Sequence, residues 1–168
     1  QTANHRTSDL LFENVAGFLG EADLAFANLE SPLAGEIAPG NMFAAPPTGA
    51  ATLRKAGFKI VHLANNHVSE YGQAGLISTL AGVRGAGLMP LGVGNDATAA
   101  LQLVRTDLNG LSIGWLGCGR TLLPQSETGP RYWEFNEKEL VSAIKQARTQ
   151  VDVLIVSIHI GLMYMDYP

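Results

Sequence analysis

Phe58-Lys59-Ile60-Val61-His62-Leu63-Ala64-Asn65-Asn66-His67 is a β-prone, largely apolar run that ends abruptly in two amides and an imidazole. A short apolar run of this kind reads as a buried strand. Polar residues set directly on its carboxyl end fall where open α/β sheets build their ligand sites. The stretch therefore points to a fold class and to the place within it where function should lie.

Working outward, Gly57 reads as the C′ residue of a short helix over about 48–56. Upstream, the spacing predicts a strand over 24–30, stopped by Ser31-Pro32, and the stretch 34–47, rich in Gly, Ala and Pro, reads as a long loop bordering a site. Before it, Ser8 or Asp9 can cap a helix whose face carries Leu10, Leu11, Val15, Phe18 and Leu19. Downstream, Leu76, Leu80 and Val83 mark a helix from Gly72 that closes at Gly85 or Gly87, and 88–93 reads as a short strand. Residues 101–105 and 111–116 flank Asn109-Gly110, a hairpin signal. Asn136 caps a helix through Leu140, Ile144 and Ala147, with Glu139 at the capping-box position. A nearly all-apolar strand over 151–158, of the kind buried in parallel sheets, then ends at His159-Ile160-Gly161. Strands near 24, 58, 88 and 151 alternate with helices, which predicts an α/β sheet with one hairpin inserted.

Composition sets bounds on function. A chain of 168 residues, 46% hydrophobic and 15% charged, is one globular domain able to fill a sizeable core. Its net charge of -4 and scattered lysines and arginines give no basic stripe, which excludes duplex nucleic acid as a partner. Anionic small substrates would then need a metal or local helix ends. Cys118 stands alone, so neither an intrachain disulfide nor a cysteine zinc cluster can form. No stretch has transmembrane length, and no secretory leader pattern opens the chain. There is no initiator Met, and Asp166-Tyr167-Pro168 follows closely on a strong strand, so both ends are expected to be truncated.

Three polar groups fall at strand carboxyl ends: Asn28 with Glu30, Asn65-Asn66-His67, and His159. Right-handed crossovers align parallel strands with their carboxyl ends on one edge, so these groups should converge. A carboxylate, an amide oxygen and a neutral imidazole suit a divalent ion such as Mn, Fe or Zn, and carboxylate with imidazole can bridge two. Metal-bound water with an imidazole proton donor hydrolyses phosphate esters and related bonds. Simpler readings stand beside this one. His67 and the two asparagines suit a turn or helix cap, and Glu30 fits a surface carboxylate. His159, wedged between an apolar strand and Gly161, is poorly placed for solvation alone. His62, among apolar neighbours, reads as a hydrogen-bonded core histidine outside the site. His5 lies in a frayed terminus, Cys118 has no adjacent base, and Trp115, Tyr132 and Trp133 read as packing residues.

Several runs taken in order resemble the bacterial capsule-synthesis, or poly-γ-glutamate synthesis, family (CapA-type, PGA_cap domain). They are Ala22-Asp23-Leu24 through Asn28-Leu29-Glu30-Ser31-Pro32-Leu33, Phe43-Ala44-Ala45-Pro46-Pro47, Ala56-Gly57-Phe58, Leu63-Ala64-Asn65-Asn66-His67 and Glu70-Tyr71-Gly72. Ser78-Thr79-Leu80, Gly92-Val93-Gly94-Asn95 and Ile155-Val156-Ser157-Ile158-His159-Ile160-Gly161 continue the match. The resemblance covers nearly all the chain from about residue 9.

That family is similar to the calcineurin-like metallophosphoesterases, which implies mixed sheets flanked by helices, here a partial α-β-β-α sandwich in a single domain over 1–168 that is incomplete. Carried onto this sequence, the resemblance makes Glu30, Asn66 and His159 metal ligands and His67 the histidine over the substrate. Asn65 joins His67 among the catalytic candidates, and Asn28 and Asn65 become groups that support the metal ligands or face the substrate. The family's opening Gly-Asp motif would fall before residue 1 and its late Gly-His-x-His segment after residue 168. Met163 stands where the family has a glutamate, and Glu70 where an aspartate is common. The resemblance implies a metal-dependent hydrolase in capsule or poly-γ-glutamate biosynthesis, using one or two divalent ions. An alternative is a non-catalytic envelope-assembly component that binds an anionic polymer or a partner protein. A third reading is a metal-independent peptide-modifying enzyme. The partners implied are an anionic polymer or peptide and other capsule-assembly proteins, at the bacterial cell envelope or outside it, with a cytoplasmic setting the alternative.

Overall fold

The computed structural model describes residues 11–36, 43–121 and 123–161 of the chain. Helix α1 (Ala16–Glu21) leads into strand β1 (Ala25–Asn28). Helix α2 (Gly49–Lys55), strand β2 (Phe58–His62), helix α3 (Gly72–Gly85) and strand β3 (Met89–Leu91) follow. After them come the short strand β4 (Val93–Gly94), helix α4 (Ala97–Ala100), and the hairpin of β5 (Val104–Leu108) and β6 (Leu111–Gly119). Strand β7 (Arg131–Tyr132), helix α5 (Glu137–Ala147) and strand β8 (Val153–His159) complete the order.

These strands form two three-stranded sheets and a small ribbon. The first sheet is β1-β2-β3, parallel throughout; the second is β5-β6-β8, with β5 antiparallel and β8 parallel to β6; β4 and β7 pair antiparallel. From Ile60 onward, period-two alternation along β2 explains the layering, and Phe58 falls outside it beside a register shift in the β1–β2 pairing. Phe58, Val61 and Leu63 pack with Ala50 of α2 and Leu76, Leu80 and Val83 of α3, while Ile60 turns the other way to meet Trp115 of β6. Phe26 stacks on Trp115 with ring centroids 5.5 Å apart. On the outer face of the second sheet, Leu116, Cys118, Leu154 and Val156 pack with Leu140 and Ala147 of α5. The order helix, sheet, sheet, helix is the expected α-β-β-α sandwich; of the two sheets expected to be mixed, the second is and the first is parallel.

The inner face of β6 reads Ile113, Trp115, Gly117, Gly119, bulky at one end and bare at the other. A Cβ on Gly117 would press on the Leu91 side chain, and one on Gly119 would overlap the Ala64 carbonyl oxygen. The taper lets the two sheets close most tightly at the carboxyl ends of β2 and β6.

Several local expectations change. The first helix is six residues long, and its described outer residues are exposed, Leu11 by 70% and Phe18 by 81%; Ser8, Asp9 and Leu10 lie outside the described residues. Two apolar stripes compete over 11–19, and it is Phe12, edge-on to Phe58, that joins Leu19 against the core. The strand expected over 88–93 is broken by Gly92, whose φ of 77° sends β4 into a different sheet. The strand expected to be buried at 151–158 has Val153, Ile155 and Ile158 exposed, because β8 is an edge strand paired only with β6 among the described residues. The hairpin forms as expected, with Asn109 and Gly110 both at positive φ. Asn136 accepts from the Glu139 amide, but the Glu139 carboxylate takes the Trp133 indole N–H at 2.8 Å. No helix of the described residues is long and apolar enough to cross a membrane.

Candidate functional site

The convergence begins with Asn65. It is 1% exposed, and its amide is wholly engaged: Nδ2 donates to the Leu29 carbonyl at 2.9 Å and to Asn28 Oδ1 at 3.3 Å, while Oδ1 accepts from the His67 amide at 3.1 Å. Asn65 therefore fastens the turn after β2 onto the end of β1. No face of its amide is left open to a substrate.

Asn28, now fixed through Oδ1, presents Nδ2 to Glu30 Oε1 at 3.1 Å and to His159 Nδ1 at 3.2 Å. An amide nitrogen can only donate, so Nδ1 of His159 accepts and the ring proton sits on Nε2. That nitrogen donates to Asn66 Oδ1 at 2.8 Å. Glu30 Oε1 stands 3.7 Å from His159 Nδ1. Asn28, Glu30, Asn65, Asn66 and His159 are thus joined across both sheets, and each lies at or just beyond a strand end.

His67 belongs to the same turn but faces elsewhere. Its Nδ1 meets Glu70 Oε2 at 3.3 Å, and its ring packs against Phe43 with centroids 4.0 Å apart. It joins the Asn28–His159 network through its backbone amide. The Glu70 and Phe43 contacts were not drawn from the sequence; the three-residue spacing of His67 and Glu70 carried that signal, and nothing local announced Phe43. Thr121, just past β6, donates to the Asn66 carbonyl at 3.2 Å and hydrogen-bonds Ser69, which steadies the turn from the second sheet.

Electrostatics separate the other candidates. Burial, reinforced by the nearby His159, pulls the His62 imidazole down to about 4 against a weaker opposite pull from the Ala64 backbone, so it is neutral. Burial and then the Glu139 charge push the Cys118 thiol up to about 11, which leaves it protonated. Among the described residues no group of three or more His, Cys, Asp or Glu is placed to hold a metal; the donor set here is a carboxylate, an imidazole and an amide. A cleft of about 450 Å³ lined by Arg131, Tyr132, Glu134 and Asn136 shares no residue with this cluster. Met163 lies outside the described residues.

Comparison with known proteins bears on the family and the fold. The profile of the family described as bacterial capsule synthesis protein PGA_cap matches residues 1–168. Capsule biosynthesis protein CapA of Bacillus anthracis is 25% identical over 182 aligned residues, covering 100% of this chain and 44% of that protein. The chain thus spans less than half of this relative. A putative 5′-nucleotidase from Staphylococcus aureus, solved in complex with alpha-ketoglutarate, superposes with a TM-score of 0.60 at 12% identity over 92% of this chain and 31% of its own. The NAD nucleotidase of Haemophilus influenzae superposes with a TM-score of 0.56 at 16% identity, over 88% of this chain and 28% of its own. At these identities the likenesses show the fold alone, an α/β fold shared with the matched parts of both nucleotidases.

Proposed function

The chain belongs to the bacterial capsule synthesis protein family PGA_cap, and on that footing we propose that its strand-end cluster is a metal-dependent hydrolase site serving capsule or poly-γ-glutamate biosynthesis at the cell envelope. The observation that carries this reading is the meeting of Asn66 Oδ1 and His159 Nε2 at 2.8 Å, with the Glu30 carboxylate 3.7 Å from the ring's other nitrogen. Two neighbouring donors on one zinc-class ion stand about 3 Å apart, so this pair has the required spacing, and Nε2 would have to give up the proton it now shares with Asn66 Oδ1 in order to ligate. Glu30, Asn66 and His159 would hold it; a second ion would need further carboxylate or imidazole donors. When bound, the ion supplies a water acidified toward neutrality and a Lewis acid for an ester or amide oxygen.

The protein's own groups do the rest. Glu70 beside Nδ1 of His67 fixes that nitrogen as the one bearing the proton, which leaves Nε2 as the proton-transfer atom. Phe43 holds the ring's tilt. Asn65 is a positioning residue here rather than a catalytic one, since its amide is spent on the turn. Asn28 orients both Glu30 and His159. The substrate class is an anionic polymer or peptide, and with a net charge of -4 the protein would meet it through the ion rather than through a basic surface.

A second reading rests on a specific observation: Asn28, Glu30, Asn66 and His159 are already joined to one another by hydrogen bonds. The cluster could then be a polar floor for binding an anionic polymer or a partner in envelope assembly. Calorimetric titration with Mn²⁺, run beside phosphodiesterase and γ-glutamyl peptide assays with and without chelator, separates the two. The hydrolase reading expects Mn²⁺ binding lost in Asn66→Ala and hydrolysis lost to chelator. Polymer binding that ignores chelator, with no Mn²⁺ bound, would replace it with the second.

A further inference from the structure

Below the strand ends lies a second contact between the sheets. His62 is 1% exposed, and its Nδ1 is 2.6 Å from Ser157 Oγ. His62 is paired in register with Asn28 in the first sheet, and Ser157 precedes His159 by two residues in the second. Alternation along β8 puts Ser157 and His159 on the same face. The His62–Ser157 bond is therefore one rung beneath the bonds that join His159 to Asn28 and Asn66.

We propose that His62 is a positioning residue for His159, fixing the height of β8 against β2 so that the ring reaches Asn66 and Asn28 together. Three observations favour this over simple packing. The inner face beside and below this bond is apolar, with Leu91 in register with His62 and with Ile60 and Trp115 two residues nearer the strand starts, and apolar contacts hold sheets together without fixing their slide to a fraction of an ångström. His62 leaves its Nε2 buried without a hydrogen-bond partner, which costs stability and is not expected of a residue kept for stability. Burial holds the ring neutral, so it can bond Ser157 without setting a charge beside His159.

The metal arm of the test rests on the hydrolase reading; the spectroscopic arm does not. The chain has four histidines, so imidazole nitrogen NMR of the metal-free protein can follow His159 directly. His62→Phe and Ser157→Ala should each move the His159 nitrogens away from a pure Nε2–H form, the double variant no further than either one, and His62→Asn should restore them. Ile60→Val, on the same face, should lower stability without moving them. Mn²⁺ affinity should fall about tenfold in His62→Phe and Ser157→Ala. Unchanged His159 signals in a folded Ser157→Ala protein overturn the positioning role, whatever happens with metal. Shifted signals in a protein that binds no Mn²⁺ uphold the role and remove the hydrolase reading instead.

Discussion

His159 Nε2 stands 2.8 Å from Asn66 Oδ1 although 93 residues of chain separate them. The two come from different sheets; the Asn28 amide meets the ring at its opposite nitrogen, and the Thr121 hydroxyl holds the Asn66 backbone carbonyl.

Removing the orienting amide should weaken the site without dismantling it. Asn28→Ala deletes the donor to both Glu30 and His159, and Mn²⁺ affinity by calorimetry is expected to fall about tenfold, the usual cost of losing a ligand's outer partner. His159→Ala should abolish binding altogether.

Glu70 should act on turnover rather than on metal. With Glu70→Gln the His67 tautomer is no longer fixed, so kcat for phosphodiester hydrolysis should drop about a hundredfold, the lower end of general acid–base contributions, with Mn²⁺ affinity unchanged. A fall in metal affinity at constant kcat would place Glu70 among the metal ligands.

His62 makes stability depend on pH. Its folded pKa, about 4, lies below the ordinary 6.5, so the unfolded chain binds the proton first as pH falls. The penalty is absent above pH 6.5, grows as pH drops, and levels off near pH 4 at about 3 kcal/mol. Urea denaturation across pH 7 to 4 should show the wild type losing stability faster than His62→Phe by up to that amount.

Gly119 should tolerate no side chain. Its Cβ would overlap the Ala64 carbonyl, a backbone atom, and Gly119→Ala is expected to cost about 3 kcal/mol or more by denaturant titration. Gly17→Ala, in α1 with open space around it, should instead stabilise by about 0.5 to 1 kcal/mol.

What could be read from the sequence was whatever depended on short-range pattern. The apolar run ending in Asn65-Asn66-His67, the Asn109-Gly110 hairpin and the Asn136 cap each follow from local spacing, and the sandwich follows from their alternation. Tertiary choices were hidden. Residues 11–19 carry two apolar stripes and only packing selects Phe12 and Leu19; residues 88–93 are apolar throughout and only the conformation of Gly92 divides them between sheets. At the site, strand ends announced Glu30, Asn66 and His159. The division of labour within it was not visible, since Asn65 is spent on the turn, His67 turns toward Glu70 and Phe43, and His62, which looked like core, touches Ser157 two residues from His159.

The bare inner end of β6 has a kinetic consequence. The β5–β6 hairpin is local and can form within microseconds, whereas Asn66 and His159 meet only once the two sheets have docked over a long loop of chain. The cluster is thus a late-assembling seam. Anything bound across it engages the finished sandwich and little of what precedes it, so it should act as a clasp that slows unfolding while refolding keeps its pace.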